Sequence, residues 1–353
     1  MRRLALLCGW CVWLSACGSS PTDDLDGGVV DALGVDAATE DASTPDAGPP
    51  DDAGFDPAFS GRYPLTAQFP EGGTYDDGER AFFVGSLGTG DVFRIDAETG
   101  EETLFYEATD PGLYWTLGLD VDEARGRLVV CAMEDLREVG EGDPANAGYV
   151  WSLDLETGER LAVHALGDAF ETATCTDVAV AADGTIYVCD REHPNVYRID
   201  PEGTLSMFVT DELLSGGVVG QNALVLLPDE SALLSLVYLS SRLVHIRLDD
   251  GAVREVEIDG DFADRTPVLS GADGMTYVDG GLLVAFTSQF NRVTPVLADW
   301  SQATTVAIDV PEGMTDVVAT PGGNYLLNGQ AVHFAFDRTP EPFALVRFEG
   351  RFE

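Results

Sequence analysis

Six short segments of this chain each set a polar residue at the start of an apolar run, and the residue types point to oxygen-donor chemistry. They are Glu71 in PEGGTYDDG, Thr116 in WTLGLDVD, Thr176-Asp177 in CTDVAVAADG, Asn222 in GQNALVLLPD, Asp273 in GADGMTYVDG and Thr315-Asp316 in GMTDVVATPGG. Glu71, Asn222 and Asp273 together offer two carboxylates and one amide oxygen. Hard donors of this kind suit Ca²⁺ first, with Mg²⁺ or Mn²⁺ as alternatives and water completing the shell. Zn²⁺ comes last, because no Cys–His spacing calls for it and the four His residues (His164, His193, His245, His333) are scattered. Any one of these donors could simply cap a strand or turn. Their recurrence at corresponding points of repeated units favours a shared site.

The repeats are what must position them. ERAFFVGSLGTGDVFRIDAETGEETLF from Glu79, GYVWSLDLETGERLAVHAL from Gly148 and DGTIYVCDREHPNVYRIDPEGTLSMFV from Asp183 read alike. Each holds an apolar strand, a polar turn, a strand ending in Asp, a Gly-bearing turn and a further strand. Val92-Phe93-Arg94-Ile95 and Val196-Tyr197-Arg198-Ile199 alternate with the period of half-buried strands. Asp96-Ala-Glu-Thr-Gly100 and Asp154-Leu-Glu-Thr-Gly158 read as hairpin turns with Gly supplying positive φ. Weaker copies start at Ser231, Gly280 and Gly322, and a short strand precedes each copy. The spacing predicts an all-β, six-bladed propeller of four-stranded antiparallel blades, at about 40–60 residues per unit. In such a fold the innermost strands line a central channel, and their starting residues converge at its mouth.

On these residues the chain resembles the regucalcin/gluconolactonase family, also called senescence marker protein or luciferin-regenerating-enzyme-like. The likeness runs over residues 65–335. It is carried by Phe69-Pro70-Glu71-Gly72 with Phe83-Val84-Gly85-Ser86-Leu87, by Gly118-Leu119-Asp120-Val121-Asp122 with Arg125-Gly126-Arg127-Leu128, and by Asp273-Gly274-Met275. The resemblance implies a divalent metal on Glu71, Asn222 and Asp273. It also implies hydrolysis of a lactone or related ester, with the metal polarising the carbonyl and Asp273, or Asp177 beside it, taking a proton from water. Two departures stand out: Thr176-Asp177 where the family has Asn-Asp, and Asn222-Ala223 where it has Asn-Gly. The loops Ala132–Ala147 and Asp190–Asn195 are expected to overhang the mouth, with Thr176, Arg191 and His193 as substrate contacts. The competing expectation is a non-catalytic propeller that binds a ligand or protein on the same face. A redox-cofactor propeller finds no CxxCH motif.

Composition narrows the partners. The formal charge of the 353-residue chain is −43, and every basic residue is Arg, so phosphate backbones are repelled and nucleic acid is excluded. The acidity fits solubility in a saline or extracellular setting. A small-molecule ligand, lactone included, is the expected partner, and a monomer the expected state. Arg2 and Arg3 precede an apolar run from Leu4 to Ala16, roughly thirteen residues against about 20 needed to span a bilayer. The run ends in Leu14-Ser15-Ala16-Cys17, which resembles the lipobox of bacterial lipoproteins. The expectation is a leader over 1–16, a lipid-bearing Cys17 opening an acidic tether over 17–58, and the folded domain over 59–353. Only the lipid would touch the membrane, at the outer membrane or cell surface, since Gly18 follows the Cys. The folded domain holds Cys131, Cys175 and Cys189, an odd number that allows one disulfide and one free thiol. The sequence does not choose the pair.

Overall fold

The computed structural model describes residues 61–108, 114–134, 148–217, 219–262, 271–335 and 338–352. The leader, Cys17 and the acidic segment lie outside them. The strands form six sheets around one axis, which is the predicted propeller. The innermost strands, in blade order 1 to 6, are Pro70–Asp76, Tyr114–Asp122, Asp177–Val180, Gln221–Leu226, Ala272–Val278 and Met314–Thr320. Blades 1 to 4 each run outward as four consecutive antiparallel strands.

Two sheets depart from that plan. Blade 6 takes its outermost strand from the other end of the domain, where Gly61–Pro64 pairs antiparallel with Ala344–Phe348 and closes the ring. Blade 5 gains a fifth strand, Glu257–Asp259, which lies parallel to Gln302–Asp309. One short helix, Ala331–Ala335, sits between the second and third strands of blade 6.

Burial falls from the middle of each blade to its rim, and the sequence shows why. Second strands are covered on both faces by neighbouring blades, so Ala81–Ser86, Ala232–Val237 and Gly281–Phe286 are buried throughout and read as unbroken apolar runs. Outermost strands such as Arg160–Ala165 and Leu205–Thr210 are largely exposed. The core is therefore a set of seams between blades. Val129, Cys131 and Met133 of blade 2 pack on Val178, Ile186 and Val188 of blade 3. Fully burying each such aliphatic side chain contributes about 1.5–3 kcal/mol.

The predicted hairpin turns are present. Gly100 and Gly158 have φ of 73° and 72°. At the head of each turn, Asp96 accepts from the backbone N–H and hydroxyl of Thr99, and Asp154 does the same with Thr157. The structure also chooses the disulfide: Cys131 in blade 2 bonds to Cys175, just ahead of the inner strand of blade 3, with Cα atoms 5.6 Å apart. Cys189 is a buried free thiol.

Candidate functional site

Inner strands start irregularly, and the irregularity builds the site. In blades 1, 4 and 5 the pairing register shifts between Pro70 and Gly73, between Gln221 and Ala223, and between Ala272 and Met275. A bulge releases a residue from the ladder and re-aims its side chain. The residues released include Glu71, Asn222 and Asp273. They line one small cavity of about 30 Å³ together with Thr176, Asp177 and Asp316, room for a cation or a water or two. Glycines let the blades approach this closely. A Cβ on Gly118 would collide with the Asp177 carboxylate, and one on Gly274 with that of Asp316.

The cavity is buried and acidic. Burial pushes the Glu71 carboxyl up to about 7, against the opposing pull of the Arg191 guanidinium. Asp273 is pushed well above the usual carboxylate range by burial, then by Glu71 and Asp316, with Arg191 again opposing. Glu71 Oε2 and Thr176 Oγ1 are buried without a hydrogen-bond partner. Asn222 Nδ2 donates to Asp273 Oδ1 and, at 3.3 Å, to the main-chain oxygen of Asp273.

This donor set fits a hard divalent cation: two carboxylates, one amide and one hydroxyl, of which the Glu71 and Thr176 oxygens are buried with no protein donor to satisfy them. Among the described residues no three His, Cys, Asp or Glu side chains are grouped to hold a metal, so the set depends on the amide of Asn222.

Asp177 has a different setting. Its Oδ1 accepts Val178 N–H at 2.8 Å, and its Oδ2 accepts Leu224 N–H of blade 4 at 2.7 Å. Asp316 accepts Val317 N–H of its own blade and Gly73 N–H of blade 1, and Asp120 accepts Val121 N–H and Val180 N–H of blade 3. These three carboxylates clasp adjacent blades. Burial raises all of them, Asp120 to about 6, Asp316 to about 7, and Asp177 well above the usual carboxylate range.

The loop Asp190–Asn195 borders the mouth as expected. Gln221, which opens the inner strand of blade 4, donates from Nε2 to the carbonyls of Asp190 and Asn195. Arg191 is almost fully buried, and its charge acts on Glu71 and Asp273. His193 is turned toward Asp190, with Nδ1 3.1 Å from Oδ2. The expected overhang Ala132–Ala147 is corrected at its start, since Ala132–Glu134 end the strand Arg127–Glu134. Its remainder, like Cys17, lies outside the described residues.

Sequence reasoning noted Asp316 only as a strand start and missed the clasps. The signal was present: Asp120-Val121, Asp177-Val178 and Asp316-Val317 repeat one dipeptide at three inner strands. It also missed Tyr238, a buried residue whose ring fills the space over Gly271 and whose hydroxyl bonds Thr287. Nothing local in the sequence marks it.

Fold and mouth together define a six-bladed propeller with an oxygen-lined cavity at the head of its channel. The chain belongs to the SMP-30/Gluconolactonase/LRE-like family, whose sequence profile matches residues 69–326. No curated protein sequence matches it. Among solved structures it is similar to the major allergen Mala s 1 of Malassezia sympodialis, at 16% identity and TM-score 0.63 over 81% of this chain and 94% of that one. It is similar to a gluconolactonase of Xanthomonas campestris at 19% identity and TM-score 0.57, covering 81% and 88%. A luciferin-regenerating enzyme aligns at 12% identity and TM-score 0.55, covering 79% and 90%. Likeness at these identities establishes the fold.

Proposed function

We propose that this propeller is a divalent-metal-dependent hydrolase of lactones or related esters, carried outside the cytoplasm on a lipid attached to Cys17. The observation that carries the catalytic part is the convergence of Glu71, Asn222 and Asp273 on one buried cavity whose Glu71 and Thr176 oxygens lack protein partners. Glu71 and Asp273 would hold the cation through their carboxylates, and Asn222 would add its amide oxygen in place of its present bond to Asp273. Ca²⁺ is the first candidate, and a bound cation would supply Lewis acidity toward a carbonyl oxygen.

The chain's own residues do the rest. Asp273 takes the proton of the attacking water. Asp177 is held by two backbone N–H groups from adjacent blades, and acts by fixing the cavity wall. Arg191 places a positive charge beside the carboxylates and favours an anionic or polarised substrate oxygen. Thr176 supplies the hydroxyl at the wall. Lipid attachment is supported by Leu14-Ser15-Ala16-Cys17 alone.

The test is calorimetry of the purified domain with Ca²⁺, Mg²⁺ and Mn²⁺, followed by a lactone panel with each metal. Binding and turnover that both vanish in Asp273→Ala support the reading. Binding without turnover leaves a ligand-holding propeller, and no binding removes the metal. Intact mass of membrane-extracted protein, with Cys17→Ser as control, tests the anchor separately.

A further inference from the structure

A second constellation stands on the mouth face, outside the cavity just described. His193 Nδ1 lies 3.1 Å from Asp190 Oδ2, and His193 Nε2 lies 3.3 Å from Thr172 Oγ1. A carboxylate facing Nδ1 fixes that nitrogen as the N–H donor. Nε2 is then the acceptor, and the Thr172 hydroxyl donates to it. This is the polarity required to make an alcohol a nucleophile.

The supporting groups are locked. Asp190 is fully buried and also accepts from the Tyr197 hydroxyl at 2.7 Å, the Glu192 N–H at 2.9 Å, the His193 N–H at 3.1 Å and the Thr174 hydroxyl. Its carboxylate cannot turn away from the imidazole without abandoning these donors. The base remains within reach of solutes, since the His193 side chain keeps 37% exposure.

Thr172 is itself unusual, a β-branched residue at φ 62°. Such a residue in the left-handed region is a marked outlier, of the kind that clusters at functional sites. Its loop leads into the inner strand of blade 3, and the His193 loop joins the second and third strands of the same blade. Both therefore open on the face that holds Glu71 and Asp273.

We propose that Thr172, His193 and Asp190 act as nucleophile, base and orienting carboxylate toward activated acyl and phosphonyl esters, without a metal ion. Thr172 Oγ1 forms the bond to the carbonyl carbon or phosphorus, and its proton passes to His193 Nε2. The bond to the leaving group breaks, and an alcohol leaves with that proton. Water then cleaves the Thr172 carboxylic ester and restores the hydroxyl, whereas a phosphonyl ester at Thr172 resists water and persists. The activity is separate from the metal-dependent reading and does not need it.

The experiment uses the folded domain, dialysed against EDTA, with a fluorophosphonate as probe. Phosphonylation at Thr172 expels fluoride and leaves a stable adduct read by intact mass and peptide mapping. One adduct per chain is expected, mapped to Thr172, absent in Thr172→Val, and formed at least tenfold more slowly in His193→Gln. Thr172→Ser should label at least as fast as the unaltered chain, which covers the case in which Thr172→Val fails to fold. Labelling should persist in Glu71→Gln, so failure of the metal reading leaves this one standing. The proposal is overturned by no adduct on folded protein, by an adduct at another residue, or by a rate that His193→Gln does not change.

Discussion

Six blades contribute to the head of the channel, and they divide into two kinds. Blades 1, 4 and 5 present Glu71, Asn222 and Asp273, which face the small cavity. Blades 2, 3 and 6 present Asp120, Asp177 and Asp316, each accepting one N–H from its own strand and one from the next blade. Further in, a cavity of about 590 Å³ is lined by all three of the second set and none of the first. The same residue types thus do opposite work. A carboxylate with a backbone N–H on each oxygen is a fastener, even where, as with Asp177 and Asp316, it also borders the small cavity. One with an oxygen left over is available to a ligand.

The largest effect should come from the open set. Asp273→Ala is expected to weaken Ca²⁺ binding and to lower any metal-dependent turnover by at least about a hundredfold, with little change in melting temperature. A variant that binds as before would place the cation elsewhere and dissolve the contrast. Next comes the seam between blades 2 and 3, fastened by Asp120 and by the Cys131–Cys175 bond across 44 residues. Losing that disulfide through Cys131→Ala and Cys175→Ala is expected to cost about 4 kcal/mol in urea denaturation. Cation binding should survive in the same variant.

Asp120→Ala leaves the half-buried N–H groups of Val121 and Val180 without their carboxylate acceptor and should cost about 1–3 kcal/mol, again without loss of binding. Parallel loss of binding would show that the fasteners and the ligand site are one unit.

The smallest effect is a pH slope. Glu71 and Asp120 titrate near 7 and 6 in the folded chain because they are buried, against about 4 in an unfolded one. Between those limits the folded form keeps protons that the unfolded form has released, so the contribution of these two groups is fully present below about pH 4 and is lost as pH rises toward 7. Melting curves of chelated protein should show this decline. Glu71→Gln should flatten part of it, and saturating Ca²⁺ should offset it at pH 7 if Glu71 is a ligand.

Much of the open set was legible because repetition exposes it. Once FFVG, LLSLV and LLVAF are read as second strands, the polar residue near the start of each preceding strand falls at the mouth, and Glu71, Asn222 and Asp273 follow. The fasteners were harder to read. Asp177 drew attention as a candidate base because sequence shows a carboxylate but not the two backbone donors that engage it. One donor, Val178, is its own neighbour, but the other, Leu224, comes from the next blade and is far from Asp177 along the chain. The pairing of Cys131 with Cys175 depended likewise on how two blades face each other. His193 was read as a solute-facing side chain, and its tie to Asp190, only three residues away, depends on a loop turn that composition does not encode. The closing strand Gly61–Pro64 was hidden because its partner lies at the opposite end of the domain.

That closing strand has a mechanical meaning. Any force drawn along the chain ahead of Gly61 reaches the domain through four residue pairs, Gly61 with Arg347 to Pro64 with Ala344. They should peel first, loosening the rim of blade 6 while the bonds around the channel stay untouched. The same seam sets the order of assembly. No ring can close until Phe348 has been synthesised, so the cavity at the mouth is among the last features a newly made chain acquires.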